Sequence, residues 1–175
     1  KTTVREDYKD ISKIMKYTKS ETEDNINRVA ELLSIEDLLD VHPANLSGGE
    51  QQKAALGKLL LLKPKILLLD EPTKGIDVFS KKTLHTILLD LKKQGVTILI
   101  VTHDIEFSAK ISDRCGLFFD GEIISIDTPV SFFSSNRYYT TVANRISRHM
   151  YRNAITCEDV IELSRLNQRN LKEQR

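Results

Sequence analysis

Tryptophan is absent from the 175 residues, aromatic residues make up only 6%, and cysteine occurs twice. Two cysteines, Cys115 and Cys157, cannot build a disulfide framework, and they fit a reduced, cytosolic chain. No apolar run reaches membrane-spanning length. The richest, Leu56 to Leu69, is interrupted by Lys58, Lys63 and Lys65. No signal-peptide pattern opens the chain, and no internal repeat or low-complexity tract is visible. An excess of one charge is missing too. Lys+Arg 26 against Asp+Glu 25 leaves +1, which argues against a chain whose main task is to coat nucleic acid. The chain opens at Lys1 and its first methionine is Met15, so a piece of a longer protein is expected. What is present, 40% hydrophobic and 29% charged residues, is a globular composition of one-domain length.

The first forty residues read as helices. Thr3 and Glu6 have capping-box spacing, and Val4, Tyr8, Ile11 and Met15 then recur at helical intervals. A second stripe runs Ile26, Val29, Ala30, Leu33. From Lys63 the texture changes. Lys65 to Asp70 and Val96 to Val101 are short continuous apolar runs, each expected as a strand buried on both faces. Between them Leu84, Ile87, Leu88 and Leu91 share one helical side, with Gly95 at the end. A short helix is expected over Asp104 to Ser112. Cys115–Phe119 and Glu122–Ile126 then flank Asp120-Gly121, a hairpin signal. Strand and helix alternating in this way predict an α/β fold with a parallel sheet. Thr128-Pro129 can start a further short helix, and Thr156 with Asp159 can cap a last one reaching towards Leu171. From Arg137 to Arg175 eight basic residues face four acidic ones, which suits a solvated basic face better than a nucleic-acid or lipid patch.

Three short strings carry chemistry. In Leu46-Ser-Gly-Gly-Glu-Gln-Gln-Lys53, Ser47 is a natural N-cap, and Gly48 and Gly49 permit close backbone approach before a long helix. Free N–H groups and the positive helix end would suit a phosphate. In Ile66-Leu-Leu-Leu-Asp-Glu-Pro72, a carboxylate stands at the tip of a strand, where open α/β sheets place their ligands. Asp70 could hold Mg²⁺ as a hard oxygen ligand, and Glu71 could position or deprotonate a water. In Thr102-His103-Asp104, a histidine follows the second strand on the same expected edge and could bond a terminal phosphate. Gly75-Ile76-Asp77 adds an acidic residue after a turn. Each string alone also fits an ordinary cap, strand end or loop.

Their order and spacing together resemble the nucleotide-binding domain of ABC ATPases, over most of residues 1 to 127. The resemblance implies an α/β fold: part of a P-loop NTPase core with parallel strands, preceded by an α-helical subdomain and followed by a helical extension. It divides the chain into a helical subdomain with its signature helix (1–62), an ATPase core (63–127) and the extension (128–175). Ser47, Gly48 and Gly49 look like signature positions that close over ATP bound to the opposite subunit of a head-to-tail dimer. Glu50 stands where many members have Gln. Asp70 looks like the Mg²⁺-supporting Walker B aspartate and Glu71 like the catalytic glutamate. His103 looks like the γ-phosphate sensor, and Asp77 like the D-loop residue linking the two sites.

One departure matters: no G-x-x-x-x-G-K-[ST] string occurs, so nothing here cradles the β- and γ-phosphates. Residues 1–8 are similar to the stretch that follows a Q-loop, where a transporter's coupling helix docks. Phe132-Phe133 and Asn136 to Arg145 resemble the C-terminal region of ATPases from energy-coupling-factor importers of vitamins and metal ions. The expected protein is the cytoplasmic, membrane-peripheral energising subunit of such an importer. It would use ATP and Mg²⁺ with a second ATPase domain and a transmembrane subunit docking near residues 1–10, and no nucleic acid. The 175 residues alone are expected to be inactive. A soluble repair- or translation-type ABC ATPase is disfavoured because only 45 residues precede Leu46, too few for a long coiled coil. A non-catalytic interaction module is the remaining alternative.

Overall fold

The computed structural model describes residues 2–173, with side chains through residue 170. Lys1 and Arg175, counted above in the docking stretch and the basic tail, lie outside them. The chain divides into two compact units, Lys1–Val101 and Thr102–Arg175.

Three reciprocal capping boxes start three of the four α-helices described in the first unit. In each, a hydroxyl accepts from the N3 amide while the N3 carboxylate accepts from the cap amide, so two orphan donors are satisfied together. Thr3 and Glu6 open α1 (Val4–Ile14), Thr18 and Glu21 open α2 (Lys19–Leu33), and Ser47 and Glu50 open α3 (Gly48–Leu61). The expected stripes point inward: Val4, Tyr8, Ile26, Val29, Ala30 and Leu33 are buried, with Leu60 and Leu61 from α3. Tyr8 Oη donates to Ala54 O at 2.9 Å and Tyr17 Oη to Leu61 O at 3.2 Å, so two phenols tie the α1 region to α3. Gly57 is the counterpart of Tyr8. A Cβ there would stand 1.9 Å from the phenol oxygen, a distance no pair of heavy atoms tolerates.

β1 (Ile66–Asp70) and β2 (Thr97–Val101) pair in parallel, Ile66 opposite Thr97 and Asp70 opposite Val101, with α4 (Val78–Lys93) as the crossover. Gly95, at φ +85°, takes the left-handed turn after α4. The sheet corrects one expectation. Leu67 is buried, but Ile66, Leu68, Leu99 and Val101, on the opposite face, are 59–66% exposed. With two strands and one crossover helix in these residues, only one face is covered, and continuous apolar runs therefore show an alternating burial.

In the second unit, α5 (Ile105–Ile111) leads to the hairpin β3 (Cys115–Phe119) and β4 (Glu122–Asp127). Asp120 and Gly121 both have positive φ, as the two-residue turn requires. Then follow α6 (Pro129–Ser135), α7 (Val142–Ser147) and α8 (Cys157–Glu173). Phe132 and Phe133 pack edge to face and join Ala109, Cys115 and Ile155 in a small core. The cap expected at the last helix forms: Asp159 N donates to Thr156 Oγ1, and Asp159 Oδ2 accepts from Ile155 N and Thr156 N. Among the described residues no helix is long and apolar enough to cross a membrane.

Candidate functional site

A cavity of about 230 Å³ in the first unit gathers several of the chemistry-bearing residues. Gly49, Gln52 and Lys53 reach it from α3, Asp70 and Glu71 from the end of β1, and Ile76 and Ser80 from the turn into α4. Its floor is apolar, with Leu56, Leu69, Leu84 and Ile87 among its walls. Helical arithmetic explains the α3 contribution, since positions 49, 52 and 56 lie on one face. The strand explains the rest: β1 ends at Asp70, and the chain turns sharply at Glu71.

That turn is unusual. Glu71 has φ +46°, a region that residues with a Cβ enter rarely and at some energetic cost. Its amide donates to Val101 O at 2.8 Å and its carbonyl accepts from Lys74 N at 3.0 Å. The sheet ladder thus continues one residue past Asp70 and holds the strained residue in place. Gly75, at φ +75°, completes the loop.

The start of α3 is self-satisfied. Ser47 N donates to Glu50 Oε2 at 2.7 Å, Ser47 Oγ donates to the same oxygen at 2.7 Å, and Glu50 N donates back to Ser47 Oγ at 3.4 Å. The Ser47 hydroxyl and amide hold the Glu50 carboxyl pKa below its ordinary value. The expected free anion site is therefore partly met from within, by a carboxylate at the positive helix end. Gly48 carries no neighbour against the Cβ it lacks, so the backbone there is open to close approach. Ser47, Gly48 and Glu50 are not among the cavity walls.

Asp77 begins the next helix. Its Oδ1 accepts from Phe79 N at 2.7 Å and Ser80 N at 3.0 Å, and its Oδ2 accepts from Ser80 Oγ at 2.7 Å. These bonds, led by the Ser80 amide, lower its pKa below the usual carboxylate range. The structure accounts for Asp77 locally as the α4 N-cap. His103 belongs to the second unit. It is exposed, in a turn where Asp104 N donates to Thr102 Oγ1 at 3.0 Å and Asp104 Oδ1 accepts from Phe107 N at 3.0 Å.

Among the described residues no group of three or more His, Cys, Asp and Glu side chains could hold a metal ion. Asp70 and Glu71 supply two adjacent carboxylates. That fits Mg²⁺ of the kind held by one or two carboxylates with phosphate oxygens and water, and does not fit an all-protein cage. Gln52 carried no expectation, yet it donates from Nε2 to Lys74 O at 2.8 Å, across to the loop behind Glu71. Its i+3 relation to Gly49 is the sequence signal that points to it.

A family model described as ABC transporter matches residues 1–74. A provisionally named ABC transporter ATP-binding protein of Bacillus thuringiensis is 50% identical over 125 residues, 71% of this chain and 23% of that protein. Among solved structures, cbiO1 of Clostridium perfringens, described as part of the ABC transporter complex cbiONQ, aligns with a TM-score of 0.67 at 28% identity. That alignment covers 83% of this chain and 58% of the other. A bacterial ABC transporter cassette solved as a dimer aligns with a TM-score of 0.65 at 27% identity, covering 73% of this chain and 57% of that one. The chain thus spans about a quarter of the curated relative and over half of the solved cassettes.

Proposed function

Since the chain belongs to the ABC ATPases and has their α/β fold, we propose that it supplies the signature and carboxylate portion of a cassette that hydrolyses ATP to energise a membrane importer. One observation carries the reading: a single cavity joins Gly49 of the signature turn to Asp70 and Glu71 at the strand end. Ser47, Gly48 and Gly49 face ATP held by the P-loop of an opposing cassette, with Glu50 closing the turn behind them. Asp70 holds Mg²⁺, which when bound offsets phosphate charge. Glu71, fixed by Val101 O in its left-handed conformation, orients and deprotonates the attacking water. His103 meets the terminal phosphate, and Asp77 communicates between the two sites of a head-to-tail dimer.

The phosphate-cradling loop that these 175 residues lack belongs to another part of the same cassette, where it holds the ATP on which Asp70, Glu71 and His103 act, while Ser47, Gly48 and Gly49 close over the ATP of the opposing cassette. The functional division follows residues 1–62, 63–127 and 128–175. The transmembrane subunit docks near residues 1–10. In support, Val4 and Asp7 rim a second cavity of about 320 Å³ with Pro43, Leu46, Gln51 and Lys58, bordering the signature turn. The likeness to cbiO1, named as part of a transporter complex, supports an importer of the energy-coupling-factor class for a vitamin or metal ion, on the cytoplasmic membrane face.

The test is Ser47→Arg in the full-length ATPase. Bulk and charge in the signature turn should abolish ATP-driven dimerisation, read by light scattering, while single-cassette ATP binding persists. Undiminished dimerisation would remove the signature role from this turn.

A further inference from the structure

The signature helix and the loop from Glu71 to Asp77 are separate elements, and a side chain joins them. Gln52, at the second turn of α3, donates from Nε2 to Lys74 O at 2.8 Å. Its Oε1 is shielded from solvent and has no hydrogen-bond partner among the described residues. The amide is committed to this orientation, because rotating it would set Oε1 against the Lys74 carbonyl, acceptor against acceptor. Lys74 in turn donates its amide to Glu71 O at 3.0 Å, and Glu71 N is held by Val101 O. The hydrogen-bonded path therefore runs from α3 through Gln52 and Lys74 to the backbone of Glu71.

The later part of the loop lies close to the same helix. One turn earlier on the same helical face, a Cβ on Gly49 would meet Ile76 Cγ2 at 3.6 Å and Ser80 Oγ at 3.8 Å. Ser80 Oγ is the group bonded to Asp77 Oδ2. The loop is thus registered to α3 by the Gln52 hydrogen bond, and the Gly49 position lies near enough to Ile76 and Ser80 that a methyl group there would touch both.

We propose that Gln52 is a positioning residue that sets the Glu71 backbone from the signature helix, so that the signature turn and the carboxylate loop shift as one body. The proposal rests on the reading of Glu71 as the water-activating carboxylate. A displacement of α3 on meeting nucleotide is transmitted to Glu71 through the Lys74 carbonyl.

Two measurements test it. In the 175-residue chain, Gln52→Leu keeps most of the volume and removes the donor. Hydrogen exchange at the Glu71 and Lys74 amides should rise about three- to tenfold, the worth of one hydrogen bond, with α2 amides unchanged. Unchanged exchange at Glu71 and Lys74, or an equal rise throughout α2, overturns the latch. In the full-length ATPase, Gln52→Leu should lower kcat roughly tenfold or more, as a small misplacement of the water-activating group does, with KM for ATP within about twofold. Gln52→Lys, which restores a donor of sufficient reach, should recover part of kcat. A raised KM with kcat intact, or no recovery by Lys, overturns the positioning role. If the unsubstituted ATPase does not turn over ATP, the functional reading fails, and the exchange experiment still decides the latch.

Discussion

Gly57→Ala should destabilise the first unit, although alanine is the better helix former. In an exposed helix interior the change gains about 1 kcal/mol. At position 57 the new methyl would stand 1.9 Å from Tyr8 Oη, 2.7 Å from Tyr8 Cζ and 3.0 Å from Leu33 Cδ1. Tyr8 cannot swing aside: it is fully buried and its hydroxyl is bonded to Ala54 O one turn away. Burial also pushes its pKa well above the ordinary phenol value, so ionisation offers no escape near neutrality. The helices must separate, and overpacking of this kind costs about 1–3 kcal/mol; the clash with buried Tyr8 puts it at the upper end, which leaves a net loss of up to about 2 kcal/mol. Tyr8→Phe removes the closest atom together with one hydrogen bond, at about 0.5–1.5 kcal/mol. The two changes should therefore be strongly non-additive, with Gly57→Ala costing at least about 1 kcal/mol less when Tyr8→Phe is already in place. Urea unfolding followed by circular dichroism measures the cycle. Additive effects, or a stabilising Gly57→Ala, would refute the interlock between α1 and the signature helix.

Three further outcomes are expected. Glu50→Gln keeps the capping geometry but removes the carboxylate from the positive end of α3; ATP-driven dimerisation of the full-length protein should then need roughly two- to fivefold less ATP at low salt. A requirement for more ATP would contradict the internal-anion reading. Acid should destabilise the chain, because Glu21, Asp40, Glu50, Asp77, Asp127 and Glu158 all have pKa values lowered by native hydrogen bonds. Their contribution is complete above the unfolded values, near 3.8 and 4.5, and is lost as pH falls through the lower folded ones; a denaturation midpoint that rose between pH 5 and 3 would contradict it. The 175 residues alone, lacking a P-loop string, should show no Mg²⁺-dependent ATP turnover in a phosphate-release assay, and measurable turnover would sink that expectation.

Local features were legible in the chain. Thr3 with Glu6, Thr156 with Asp159, Asp120-Gly121 and Gly95 each act within a few residues, so spacing alone exposes them. The stripe Ile26, Val29, Ala30, Leu33 was legible for the same reason, since one helical period fixes the face. Long-range fits were not. The contact between Gly57 and Tyr8 joins residues 49 positions apart, and no periodicity marks it. The sequence predicts a sheet covered on both faces because Ile66 and Leu68 are as apolar as Leu67. An apolar residue signals what a strand can bury, and the elements that cover it are specified elsewhere. At the site, Ser47 is visible as a cap, and Glu50 stands three residues on at the same box spacing as Glu6 after Thr3, so the carboxylate that closes the turn is also marked in the sequence. The role of Gln52 is only weakly marked in the sequence, because its partner is a carbonyl, which any residue could supply.

The most direct test of the central claim is Glu71→Gln in the full-length protein, with ATP turnover and ATP-dependent dimerisation measured on the same sample. Gln keeps the shape and the left-handed backbone but cannot take a proton from water. Hydrolysis should fall by about 10²-fold or more while an ATP-bound dimer accumulates. Turnover at the unsubstituted rate, or loss of dimerisation along with hydrolysis, would contradict the assignment of Glu71 as the water-activating carboxylate.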